Sequence, residues 1–173
     1  MGQVSPPIAK FFESFHEKNA AILIPGCGNA YEAEFLNQLG FTNITLLDIA
    51  SQAVEILHKR FSGISSIKVV EGDFFTHSGN YHLIIEQTFF CAILPKMRKK
   101  YVRQSHDLLK PQGRIVGVLF NKHFGFPGPP FGGHKEEYEQ LFASHFKIVK
   151  MEKCYNSIEP RSGSEIFINL KRK

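Results

Sequence analysis

The chain is predicted to fold as an α/β protein, a doubly wound, mostly parallel seven-stranded sheet that ends in an antiparallel hairpin. Three observations carry that prediction. Short apolar runs alternate with helical patterns along residues 21–120, in the order β-α-β-α-β-β-α-β. The first run passes straight into a glycine turn, IPGCGNAYEAEFL at 24–36, with Asp48 twenty residues beyond Gly28. Two adjacent extended segments, 147–154 and 164–171, close the chain around a turn holding Pro160 and Gly163.

Each element has its own signal. Residues 1–20 read as a short approach helix, with Ile8, Phe11, Phe12 and Phe15 at helical spacing after Pro6 and Pro7, and residues 21–173 as one domain. The run at 21–24 is the first strand. Asn29 is expected to cap the next helix, with Glu32 completing a capping box and Tyr31, Phe35 and Leu39 as its apolar stripe. Residues 43–48 form a buried strand, and Ser51 is expected to cap a helix whose stripe is Ala53, Ile56, Leu57 and Phe61. Strands follow at 67–71 and 81–86, then a helix at 95–109 packing through Tyr101, Val102, Leu108 and Leu109. Residues 110–113, Lys-Pro-Gln-Gly, are expected to turn tightly into a strand at 114–120, and a Gly/Pro loop at 124–133 precedes a helix at 135–146.

Composition narrows the function classes. With 173 residues, 43% apolar and 21% charged, the chain can bury a core. No run of about 18 apolar residues and no secretory leader pattern occurs, so neither a membrane span nor export is expected. Cys27, Cys91 and Cys154 lack metal-ligand spacing and fit a reducing cytoplasm, with Cys91 expected as a buried structural thiol. Apart from residues 96–100 and the last three, the cations behind the net charge of +5 are scattered, which argues against nucleic acid as the partner.

A strand, a glycine turn and a helix start make a cradle for a nucleotide-like ligand, because the backbone can approach closely and the first helical N–H groups lack partners. An acid closing the next strand, here Asp48, is placed to accept from ribose hydroxyls.

Four segments in order, Pro25-Gly26-Cys27-Gly28, Leu47-Asp48-Ile49, Gly72-Asp73-Phe74-Phe75 and the run from Thr88 to Pro95 leading to Arg98 and Tyr101, resemble the class I S-adenosylmethionine-dependent methyltransferases. Within these the chain is similar to the thiopurine, thiol and halide methyltransferase family, and Leu109 to Gly113 and Gly128-Pro129-Pro130-Phe131 agree with it. The resemblance implies the Rossmann-like class I methyltransferase fold, with S-adenosyl-L-methionine as cofactor and S-adenosyl-L-homocysteine as product. It implies cofactor contacts from Pro25, Gly26, Cys27, Gly28, Glu32, Asp48, Ile49, Asp73, Phe74 and Glu86. Of these, Asp73 would take the adenine amino group, the Phe74 ring would lie against the adenine, and Glu86 would face the cofactor ammonium or the acceptor. Candidate catalytic residues are Phe90, Arg98, Tyr101, Phe131 and Arg161, with Phe89 and Phe126 lining the pocket and His123 and His134 as further polar groups; no metal is implied.

The implied acceptor is a small molecule, a thiol or another soft nucleophile. A nucleic-acid or protein methyltransferase, a noncatalytic cofactor-binding module and an NAD-dependent oxidoreductase stay open as alternatives. Departures from the family are Ala30 at the place of a third glycine, Glu32 and Glu86 where the family tends to have aspartate, and only about twenty residues before the first strand. A partner covering that side and the oligomeric state are left open.

Overall fold

The computed structural model describes residues 2–173; Met1, the first residue of the expected approach segment, lies outside them. Helix α1 (Pro6–Phe12) opens on two prolines, tolerated because first-turn N–H groups have no helical acceptor. Strand β1 (Ile22–Pro25), helix α2 (Tyr31–Gln38), strand β2 (Ile44–Asp48), helix α3 (Ser51–Arg60) and strands β3 (Ile67–Glu71) and β4 (Tyr81–Gln87) follow. A 3₁₀ turn (Pro95–Met97) leads into α4 (Arg98–Leu108), then β5 (Leu109–Phe120), α5 (Lys135–Phe142), β6 (Phe146–Lys153) and β7 (Glu165–Arg172). No helix among the described residues is long and apolar enough to cross a membrane.

The seven strands form one sheet in the order β3-β2-β1-β4-β5-β7-β6. The first five are parallel, and β7 runs antiparallel between β5 and β6. Side chains alternate across the sheet and divide the core in two. Leu23, Ile84 and Ile115 point to one face, under Tyr101, Val102 and Leu108 of α4 and Tyr138 and Phe142 of α5. Ile22, Ile24, Leu83 and Val116 point to the other, under Ile8, Phe12, Ala33, Leu36 and Leu57 of the first three helices. β1 is buried along its whole length, as a central parallel strand must be.

Four local expectations are corrected. Asn29 does not cap α2: the residue after it, Ala30, is left-handed (φ +53) and stands at the cap without a side-chain bond, and Glu32 turns inward to accept from the Ser5 N–H at 3.4 Å. The buried face of α2 is therefore Glu32, Ala33 and Leu36 rather than Tyr31, Phe35 and Leu39. Nor does Ser51 cap α3, because Asp48 accepts from the Ala50 N–H at 3.0 Å while Ser51 donates to Glu71 at 2.7 Å; α3 buries Val54 and Leu57 and leaves Ile56 exposed. Finally, the turn at 110–113 lies inside β5 as an irregularity, with Gln112 at φ +70, since Leu109 already pairs with Tyr81 before Arg114 pairs with Leu83.

Candidate active site

The carboxyl ends of β1, β2, β3 and β4 gather most of the residues singled out by sequence. Gly26 follows β1 with φ +55 and donates to Leu47 O at 2.8 Å. A Cβ at Gly26 would run into the Phe89 ring, so glycine is required both by the backbone and by this close approach. Two residues on, Gly28 (φ +49) has open space on its Cβ side, and its N–H lies 3.4 Å from Asp48 Oδ2. Cys27 between them is buried; burial, then the charge of Asp48, pushes its thiol up to about 12.

The turn is braced from outside. Arg60, at the end of α3, donates to the Asn29 carbonyl and to Glu34 Oε2, the latter at 2.6 Å, with its guanidinium over the Tyr31 ring. Sequence reading missed Arg60, and only its place on the helix after Asp48 hints at it.

Asp48 closes β2 with its oxygens toward the Gly28 and Ala50 N–H groups. Next to it Ile49 is 69% exposed, an apolar side chain with nothing over it. Asp73, after β3, accepts from the Phe75 N–H at 2.9 Å through Oδ1. The Phe74 ring, expected against the adenine, does not face this strand end. It is buried, stacked on Tyr101 with centroids 5.4 Å apart and edge-on to Phe89, so at this strand end Phe74 presents its backbone.

Glu86 ends up sealed. Its exposure is 0%, the Phe90 N–H and the Tyr101 hydroxyl donate to its two oxygens at 2.9 and 2.8 Å, and burial pushes its carboxyl up to about 7. Phe90 and Tyr101, which sequence puts against the acceptor, lie inside with exposures of 1% and 0%, because their rings interlock with Tyr138 and Phe142. Glu32 is likewise interior, and burial raises its carboxyl.

Arg98 is also largely buried. Its guanidinium lies over the Phe90 ring and donates to the Phe131 and Gly132 carbonyls at 3.0 and 2.9 Å, tying the Gly/Pro loop to α4. From that loop the Phe131 N–H reaches Cys91 O at 2.6 Å, while Phe126 is exposed, its ring 5.7 Å from that of Phe124. Cys91 is buried, as expected of a structural thiol, and burial pushes it up to about 12. Arg161 pairs with Glu165 at 3.1 Å and shares with Glu86, Thr88 and Cys91 a cleft of about 10 Å³, room for roughly one water. His123 and His134 are exposed, their rings 4.5 Å apart.

One further group was not foreseen. The Gln87 amide, the last side chain of β4, is buried with neither Nε2 nor Oε1 bonded. A polar residue closing an apolar strand beside Glu86 is the signal that points to it. An orphaned amide, a turn open at Gly28, an acid at each of two adjacent strand ends and the uncovered Ile49 fit an adenosyl group carrying a polar tail.

The family described as thiopurine S-methyltransferase matches residues 1–169. Probable thiol methyltransferase 2 of Arabidopsis thaliana is 31% identical over 171 residues, covering 95% of this chain and 75% of that protein. Thiocyanate methyltransferase 1 of Brassica oleracea is 29% identical over 172 residues, with the same coverage of 95% and 75%. Among solved structures, the 1,6-didemethyltoxoflavin N1-methyltransferase of Burkholderia thailandensis, with bound S-adenosylhomocysteine, superposes with a TM-score of 0.77 at 16% identity over 97% of this chain and 77% of that one. The glycopeptide N-methyltransferase MtfA, also with S-adenosylhomocysteine, gives a TM-score of 0.78 at 10% identity over 96% and 88%. Sheet order, strand-end site and these matches agree: the chain is an S-adenosylmethionine-dependent methyltransferase of small molecules and belongs to the thiopurine S-methyltransferase family.

Proposed function

We propose that the acceptor is a small thiol, or a comparably soft sulfur anion such as thiocyanate, methylated on sulfur. The observation that carries this reading is the match to the thiopurine S-methyltransferase family, and the side chain that fits it is Arg161, whose guanidinium lies over the Phe120 ring at 5.3 Å beside Thr88 and Cys91. A cation among aromatic rings suits a polarisable anion that needs no base to lose a proton. The thiol and thiocyanate relatives support the same chemistry.

S-adenosylmethionine supplies, when bound, a sulfonium methyl already activated for in-line displacement. The protein's part is to bind, align and exclude water. Asp48 would accept from the ribose hydroxyls and Asp73 from the adenine amino group through its free oxygen, with Ile49 flanking the ring. The backbone of Gly26, Cys27 and Gly28, positioned by Pro25, would lie along the methionine portion, and the Gln87 amide would meet its polar end. Phe89 and Phe131 would keep water out, and Arg161 would draw in the anionic acceptor. Phe90, Arg98, Tyr101, Glu86 and Glu32 act as positioning residues: the first four hold the loop of Phe131 and the end of β4 in place, and Glu32 ties α2 to the start of α1. Residues 21–173 act as one catalytic domain behind the approach segment 1–20, and three free, buried cysteines suit a cytoplasmic setting.

Turnover of thiophenol, 2-mercaptoethanol and thiocyanate against aniline and phenol, read as S-adenosylhomocysteine release, tests the acceptor. Sulfur acceptors are expected to react faster; preference for the amine or the phenol would overturn the proposal. For the cofactor, Asp48→Ala is expected to weaken S-adenosylmethionine binding by about 1–3 kcal/mol, the scale of hydrogen bonds to a charged group, in calorimetric titration. Unchanged affinity would remove Asp48 from the ribose.

A further inference from the structure

On the sheet face that carries α1 lies a groove of about 740 Å³, within the size range of small-molecule pockets. None of its lining residues belongs to the site just described. One register row crosses the sheet here, and its members Leu83, Arg114 and Lys171 line the groove: Ile22 of β1 pairs with Leu83 of β4, Leu83 with Arg114 of β5, Arg114 with Lys171 of β7, and Lys171 with Lys147 of β6. Ile22 and Leu83 precede the strand ends that carry Gly26 and Glu86, so this row sits toward the opposite end of the parallel strands.

Three cations therefore stand side by side on adjacent strands. Directly opposed residues share a face, and like charges there repel. Among the described residues none of Arg114, Lys147 and Lys171 has a carboxylate partner; Arg114 reaches only Asn169 Oδ1, at 3.5 Å. Of the acids lining the groove, Glu152 is engaged by Lys150 at 2.8 Å, and Glu17 is exposed on the far wall after α1. Beside the cations the walls are aromatic. Phe11 and Phe15 are stacked with centroids 5.6 Å apart, and Phe167 faces them from β7.

Charge repulsion kept at the floor of a groove, beneath half-buried rings, is what binding an anion with an apolar body would relieve. We propose that this groove binds a small amphipathic anion, a phosphate or carboxylate head on a planar apolar body, at a site separate from methyl transfer. Arg114 and Lys171 hold the head, while Phe11, Phe15 and Phe167 sandwich the body.

Calorimetric titration with 1-naphthyl phosphate tests it, with 1-naphthol and inorganic phosphate as half-ligands. Naphthyl phosphate is expected to bind more tightly than either half. Arg114→Gln with Lys171→Gln is expected to weaken it about tenfold or more, the scale of hydrogen bonds to charged groups. Asp48→Ala is expected to leave it unchanged. Without ligand the double variant is expected to melt no lower than the parent, since it loses a repulsion; the single Lys171→Gln variant serves the same comparison if the double variant does not fold. Absence of binding, equal binding of naphthol, binding indifferent to both substitutions, or a lowered melting temperature would each overturn the proposal. So would a concentration-dependent dimer that excludes the probe, because a second copy would then be the occupant.

Discussion

Replacing Tyr101 by alanine is expected to cost about 3–5 kcal/mol of folding stability, the range for deleting a buried aromatic ring. The ring has no exposure and touches each part of the α4–α5 core: it stacks on Phe74 at 5.4 Å, meets Phe90 edge-on at 5.2 Å and Phe142 at 6.4 Å. Its hydroxyl also supplies one of the donors to Glu86. Tyr101→Phe keeps the ring and removes the donor, so it is expected to cost only about 1–3 kcal/mol, the penalty for an unsatisfied buried acceptor. Urea unfolding, compared at unchanged slope, separates the two. Equal, small losses in both variants would contradict the packing described here.

Glu86 is expected to make stability depend on pH in the direction opposite to most carboxylates. Burial raises its carboxyl from the ordinary 4.5 to about 7, so the folded protein binds a proton that the unfolded chain has released over that interval. Stability from this group is thus fully present below about pH 4.5 and lost as pH rises through about 7, a difference of about 3 kcal/mol. Glu86→Gln keeps the shape without the proton and is expected to flatten that segment of the profile. Unfolding free energies at pH 5 and pH 8 for both proteins provide the check, and Glu32, raised in the same direction, cancels in the comparison. A parent profile parallel to that of the Gln variant would show that Glu86 ionises inside as it does in water.

The order of strands and helices was legible because a buried strand leaves a continuous apolar run and a glycine turn leaves a backbone requirement; both are local. Caps were less so. Asn29 and Ser51 have the right chemistry, yet the left-handed Ala30 and the Asp48 side chain, both set by the ligand turn, take over the helix starts. Phe90 and Tyr101 show a second limit: an aromatic ring reads alike in sequence whether it lines a pocket or fills a core, and only the contacts with Tyr138 and Phe142 decide. The row from Arg114 through Lys171 to Lys147 was invisible for a different reason, since register between strands 57 and 24 residues apart is a property of the assembled sheet.

The Arg60 bridge from α3 to the Asn29 carbonyl bears on how quickly and how firmly a visitor is held. Immobilising backbone costs about 1–2 kcal/mol per residue, and here that cost falls at folding, long before any encounter. A turn stiffened in advance receives its guest as a rigid mould does: little is surrendered in disorder on arrival, and the advantage shows as slow departure.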